Sequence, residues 1–475
     1  MKNTDARQLV KIESYQVTNN NSLILNLERQ LDSFNPAVRI SALQELLLLV
    51  QKKIIKPLII QESVNNHCHS FFSYNAYGYS PTHIAWLALK NGYRFMGIID
   101  FDVLDGVDEF LNACELAGIR GSAGMETRVY IPEFSEMEIN SPGEPGIAYH
   151  MGIGFSTSQT SGHANIELMD IRQRATHRNM EIVNRLNEFL APLFIDYEKD
   201  VLPFTPAGYA TERHIVITLI NKAHQMISDD ISFWSEKLNQ PIDKTLEGMK
   251  DEPAFQNLVR SKLMKRGGPG YIQPTPESYP GIDEFNSAVA ECGALPCAAW
   301  LDGTSSGEKR IEELLGLLIE KGVVALNIIP DRNWNISDPQ IKKTKVSNLY
   351  HIVTIAEQMH MPIQIGTEMN SFGQKLIDDL DIPELVPLKD IFLKGAYFIY
   401  GHVRMQAILG KGFQSQWAKN YLPSRQERND FFSTIGRLIE PDSSGRIALD
   451  AVNINASPQE ILEQLKTNPG KKGIK

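Results

Sequence analysis

The tetrapeptide Asn66-His67-Cys68-His69 sets two imidazoles two residues apart. In an extended chain such residues point to the same side, so both rings can take one ion. A pair this short recurs by chance, and two surface histidines are the plainer reading of it alone. Further along, Glu126, His150 and Glu368 each stand in or just after a short apolar run. Nitrogen and oxygen donors without a thiolate suit Zn²⁺, Mn²⁺ or Fe²⁺ at an open catalytic site, not a cysteine-rich structural one. An ion held there lowers the pKa of bound water and makes hydroxide available as a nucleophile near neutral pH. The set suffices for one ion and at most a weakly held second, with Glu126 placed to bridge the two.

Something must carry these residues to one place. From residue 64, short apolar runs alternate with longer amphipathic ones, the βα signature. Seven runs are expected as strands: 64–70, 95–100, 122–130, 147–155, 295–300, 323–329 and 362–366. Helices are expected over 81–91, 107–117, 308–321 and 343–359, the first begun by Ser80-Pro81 and the second ended by Gly118. Seven parallel strands with helices between them make a barrel or an open doubly wound sheet, and in either the site lies beyond the strands' C-terminal ends. Those ends carry His67 with His69, Asp100 with Asp102, Glu126 with Arg128, His150, Trp300 with Asp302, Asn327 with Asp331, and Glu368 with Asn370. Gly366 suggests a close backbone approach at this mouth.

The rest of the chain sets limits. Its 475 residues carry 47 Lys and Arg against 57 Asp and Glu, a formal net charge of −10. That balance argues against an extended nucleic-acid track, because phosphate neutralisation needs a basic face. The four cysteines form no CxxC pair and no disulfide framework, as expected of buried thiols in a reducing cytosol. No secretory signal is expected at the N-terminus, and the most apolar stretch, 46–60, is broken by Lys52, Lys53 and Lys56. A cytoplasmic protein without a membrane span is therefore expected; the oligomeric state stays open. Residues 1–61 are expected as a helical N-terminal extension, 157–290 as a helical insertion and 381–475 as a helical C-terminal extension, leaving 62–156 and 291–380 for the barrel.

Taken in order, His67-x-His69, Ile99-Asp100-Phe101-Asp102-Val103-Leu104-Asp105-Gly106, Gly124-Met125-Glu126 and His150 resemble the polymerase and histidinol-phosphatase (PHP) superfamily. The resemblance is nearest to its branch acting on nucleoside bisphosphates and RNA 5′ ends. Thr211-Glu212-Arg213-His214-Ile215-Val216 and Gly268-Pro269-Gly270-Tyr271-Ile272 match that branch's insertion elements. It covers roughly residues 64–372. It implies an α/β fold, a distorted seven-stranded (β/α) barrel with a helical insertion, and a metal centre that hydrolyses phosphate esters. The implied ligands are His67, His69, Glu126, His150 and Glu368, with His150 and Asp100 also as acid–base groups.

The sequence departs from the family pattern at several ligands. A family histidine is replaced by Phe101, another by Trp300, the last by Asn370, and an early aspartate is lost near Asn75. Arg128, Asp302, Asn370 and Asn75 are left as substrate-binding candidates. Arg213 and His214 are read as a phosphate clamp, with an interdomain salt bridge as the plainer alternative. Arg172, Arg174 and Arg178 are read as a solvated helix face. Gly303–Gly307 is either an anion-binding turn or a capped strand-to-helix turn. The expected function is a phosphoesterase acting on a small phosphorylated metabolite or nucleotide through one divalent ion. The rivals are an inactive barrel that binds a sugar or nucleotide, and a mononuclear hydrolase of C–O or C–N bonds.

Overall fold

The computed structural model describes residues 21–467. The expectation about an N-terminal signal, and residues 1–20 and 468–475 of the two expected helical extensions, lie outside the described residues. The seven expected strands are β1 (Gln61–Cys68), β2 (Tyr93–Phe101), β3 (Arg120–Tyr130), β4 (Ile147–Ile153), β5 (Leu295–Trp300), β6 (Ala325–Ile328) and β7 (Ile363–Ile365). They pair in chain order. A parallel bridge between Cys68 and Glu368 joins β7 back to β1, so the sheet is a nearly closed α/β barrel with helical extensions.

One expectation about the strands is overturned. β4 runs antiparallel to both β3 and β5, while the other neighbouring pairs are parallel. The reason is the connection before it. Residues 131–146 hold Pro132, Pro142, Gly143, Pro145 and Gly146, and no helix longer than a single 3₁₀ turn forms there. Without a crossover helix the chain turns back on itself instead of passing over the sheet.

Local chemistry sets the flanking helices. Ser80 Oγ accepts from the His83 N–H at 3.0 Å to begin the helix Pro81–Lys90, with Pro81 in its first turn. Gly118 ends Val107–Ala117 in the left-handed region at φ 69°. Of the last two barrel helices, the first is shorter than expected, Ile311–Glu320 after the 3₁₀ turn Glu308–Arg310, and the second begins earlier than expected, at Pro339–Gln358.

The helical ends are part of the barrel's core, not appendages. Leu31, Leu43 and Leu46 from the N-terminal side and Phe392, Phe432 and Leu465 from the C-terminal side join the cluster that fills and surrounds the sheet. Helices Lys389–Leu409 and Arg425–Leu438 cross where Gly401 meets the backbone of Phe432 and Gly436 that of Tyr397. A Cβ at either glycine would collide with a carbonyl oxygen at 2.0 Å. The insertion has its own core, running from Ile182 to Met264 around the buried Trp234. The 28-residue helix Gly162–Phe189 spans both: Leu168 and Ile171 pack with the barrel, Ile182, Val183 and Leu186 with the insertion.

Candidate active site

The seam of the barrel is also its chemical centre. Glu368 donates its backbone N–H to the His67 carbonyl at 2.9 Å and accepts from the His69 N–H at 2.7 Å. Gly366 permits this approach, since a Cβ there would lie 2.4 Å from His67 Cβ and from its carbonyl oxygen. Glu368 and Met369 take φ of 65° and 58°, the left-handed region that side chains other than glycine's disfavour. Asp102, at the end of β2, does the same at 58°.

His67, His69 and Glu126 form a buried cluster in which one donor atom of each lies within 4.8 Å of the others. Glu126 Oε2 is 3.4 Å from His67 Nε2 and 3.5 Å from His69 Nε2, beyond a good hydrogen bond. Both ring nitrogens are buried without a hydrogen-bond partner. Orphaned buried polar atoms are costly unless something fills the space between them. Two ring nitrogens and a carboxylate aimed at one point suit a divalent cation. The charges agree: burial, and then His67 beside it, holds His69 well below the usual histidine range, so its nitrogen is a free lone pair. Burial also raises Glu126, helped by the like charge of Glu368 and opposed by His67.

Behind the cluster, His69 is held in place. Asp100 accepts from the Ser70 N–H at 2.8 Å, Ser70 Oγ at 2.6 Å and Ser73 Oγ at 2.7 Å. Ser73 Oγ, its proton given to Asp100, faces His69 Nδ1 at 3.3 Å. That leaves His69 to carry its proton on Nδ1 and offer Nε2 forward. Phe101 stacks on the His69 ring at 4.2 Å.

Several expected site residues lie elsewhere. His150 is not a ligand. Strand pleating alternates, so between the pocket-lining Tyr149 and Met151 its ring faces outward, 2.8 Å from Asn286 Oδ1 and against Phe285. Burial there lowers it to about 4. Asp100 does not reach the pocket and acts only through Ser73. Asn75 shapes its own loop, donating to the His69 carbonyl and accepting from the Tyr77 and Tyr79 N–H groups. Asp302 is held by Lys345 and Thr304 away from the cavity. His214 caps its helix, its Nδ1 accepting from the Thr211 N–H at 3.0 Å, and burial lowers it to about 4. Glu368 stands beside the cluster but outside it, its carboxylate held by Arg332. Gly303–Gly307 is no anion turn: Glu308 already accepts the Leu301, Asp302 and Gly303 N–H groups.

Of the expected binding residues, Arg128, Arg213 and Asn370 do line the cavity in front of the cluster, which measures about 310 Å³. Sequence reasoning missed most of their company. Arg178, Arg260, Lys265 and Arg332 also line it, making six cationic side chains against the four carboxylates of Asp102, Glu126, Glu212 and Glu368. Arg128 lies 4.3 Å and Arg178 5.1 Å from the Tyr279 ring centre. Glu212 takes Arg260 at 2.9 Å and Lys265 at 2.8 Å. Burial opposes its charge, but those two cations outweigh it and bring its carboxyl down to about 2. Tyr209 of the insertion donates to Asp102 at 2.7 Å, tying the two cores together across the cavity. Arg178 was read as part of a solvated face. Its helix neighbours do turn away, Arg172 to Asp105 and Arg174 to Asp170, while Arg178 turns inward.

Comparison with protein-family models finds no match, and no curated protein matches the chain. Among solved structures, the chain is similar to an amidohydrolase from Chromobacterium violaceum determined with bound sulfate and no metal. The identity is 15%, over 68% of this chain and 93% of that one, with a TM-score of 0.45. It is also similar to a protein assigned as a metal-dependent phosphoesterase from Bifidobacterium adolescentis. There the identity is 20%, over 68% and 95%, with a TM-score of 0.43. At that distance neither match bears on the chemistry, which rests on the residues themselves. No described helix is long and apolar enough to cross a membrane.

Proposed function

We propose that the chain is a metal-dependent hydrolase of small phosphate esters. One observation carries this reading: a buried His67–His69–Glu126 cluster with unpartnered ring nitrogens opens onto a cavity with a surplus of cationic side chains. That surplus stands out in a chain whose net charge is −10. Guanidinium groups match phosphate oxygens bidentately and keep their charge at any working pH.

His67, His69 and Glu126 would hold the ion. A divalent cation there supplies Lewis acidity and lowers the pKa of a bound water. The protein's own part is positioning. Arg178, set on one aromatic ring beside an Arg128 that pairs with Glu144 at 2.9 Å, is placed to bind an anionic group of the substrate. The hydroxyls of Tyr149 and Tyr279 are pushed up, Tyr279 to about 12, chiefly by burial, and stay protonated as donors beside them. Trp300 and Met151 close the apolar wall and help to exclude water. A volume near 310 Å³ fits a small metabolite and not a polymer track.

The rival readings fare worse on the same residues. A pure binding barrel has no use for two orphaned imidazole nitrogens around a carboxylate. A hydrolase of neutral C–O or C–N bonds has no use for Arg178 and Arg213, which line the cavity without a carboxylate partner among the described residues. The test is a screen of phosphomonoesters with and without chelator, restored by Mn²⁺ or Zn²⁺. Turnover that is insensitive to chelation, or confined to uncharged substrates, overturns the proposal.

A further inference from the structure

We infer that Arg332 occupies the place of a second metal ion, with Glu368 as its counter-ion and not as a metal ligand. This rests on the reading of His67, His69 and Glu126 as an ion site. The two carboxylates of the mouth are used differently. Glu126 faces the two histidines with no good hydrogen bond of its own. Glu368, almost fully buried, takes Arg332 Nη2 on both oxygens at 2.9 Å each, and Asn370 Nδ2 adds a third contact at 3.3 Å. Its carboxylate is therefore already satisfied.

The backbone keeps it so. Glu368 is bonded on both sides to the His67 and His69 backbone and sits in the left-handed region. Its side chain leaves the seam from a base that cannot slide. Arg332 comes from the opposite wall, on the short helix Asp331–Trp334 that follows β6. Among the described residues its side chain makes no hydrogen bond besides those to Glu368, so its remaining guanidinium N–H groups are free towards the cavity it lines.

Charge decides between one ion and two. One divalent ion and Arg332 against Glu126 and Glu368 leave one positive charge, suited to an incoming phosphoryl group. A second ion beside them would leave three, and like charges packed that closely repel. To reach Glu368 that ion would also have to break a charge-assisted pair with good geometry. Arg332 thus acts as a fixed cation: it neutralises Glu368 and presents its free N–H groups to an oxygen of the phosphoryl group.

The test is a Mn²⁺ titration read by elemental analysis and electron paramagnetic resonance, followed by calorimetric titration of inorganic phosphate into the loaded protein. Wild type is expected to bind about one ion per chain. Glu368→Gln should keep that ion within about threefold of the wild-type affinity, because Glu368 does not hold it. Arg332→Met should admit a second ion at millimolar Mn²⁺ and weaken phosphate binding at least tenfold, with Arg332→Lys between. Two ions in wild type overturn the inference while leaving the ion site intact. So does a first ion lost in Glu368→Gln, or phosphate binding unchanged in Arg332→Met. If wild type binds no ion and His67→Ala changes nothing, the ion site itself falls, and the inference with it.

Discussion

Ser73 is the residue whose removal separates holding the site from holding the fold. Its hydroxyl donates to Asp100 at 2.7 Å and faces His69 Nδ1 at 3.3 Å. Ser73→Ala removes one charge-assisted bond, worth about 1.5–3 kcal/mol, and leaves a buried Nδ1–H without an acceptor, at a cost of about 1–3 kcal/mol. The effects overlap, so a loss of about 2–4 kcal/mol in urea unfolding is expected. The His69 ring loses the bond that sets its tautomer. Removing such an outer partner typically weakens metal binding by about 10–100-fold. Ser70→Ala is the control. It takes a 2.6 Å bond from Asp100 and touches no ring, so stability should fall comparably while metal affinity moves less than threefold. Calorimetric titration of Zn²⁺ or Mn²⁺ into the three proteins decides. Equal affinity in wild type and Ser73→Ala, or equal losses in both variants, refutes the relay from Asp100 through Ser73 to His69.

Other outcomes follow from the same geometry. Gly366→Ala places a methyl against the His67 backbone, and is expected to lower both the unfolding midpoint and metal affinity, measured on one preparation. Arg178→Met removes a cavity-lining cation that has no carboxylate partner among the described residues; KM for a phosphorylated substrate should rise about tenfold, the scale of a single charged contact, with unfolding unchanged. His150, His214 and His402 are each lowered to about 4 by burial. The unfolded chain then binds more protons between pH 6.5 and 4, so stability is full above pH 6.5 and falls as pH drops through that window. Each histidine accounts for about 3 kcal/mol. A urea midpoint that stays flat from pH 7 to 4.5 contradicts their burial as neutral rings.

The barrel was legible because its strands are bounded by short apolar runs and its helices by Ser80-Pro81 and Gly118. His67 and His69 were legible because two-residue spacing on a strand has one geometric meaning. The direction of β4 was misread. A run such as Ile147–Ile153 looks alike in either direction, and the signal lay in the Pro- and Gly-rich 131–146, which cannot form a crossover helix. That misreading put His150 in the mouth, where pleat parity forbids it. Glu126 was found, although it lies inside β3 and not at its end. Arg260 and Lys265 were beyond reach, since they arrive from a separate core and nothing local marks them. Arg178 was hidden among arginines that do face outward. Asp100 was recognised as important for the wrong reason, because buried carboxylates that organise a ligand and those that do chemistry share the same strand-end position.

The most direct test of the central claim is the metal content of the untagged protein, measured by elemental mass spectrometry beside His69→Ala after equilibration with Mn²⁺ or Zn²⁺. About one ion per chain is expected in wild type and none in the variant. A wild-type chain that stays empty, or a variant that keeps its ion, contradicts the assignment of His67, His69 and Glu126 as the metal-holding centre.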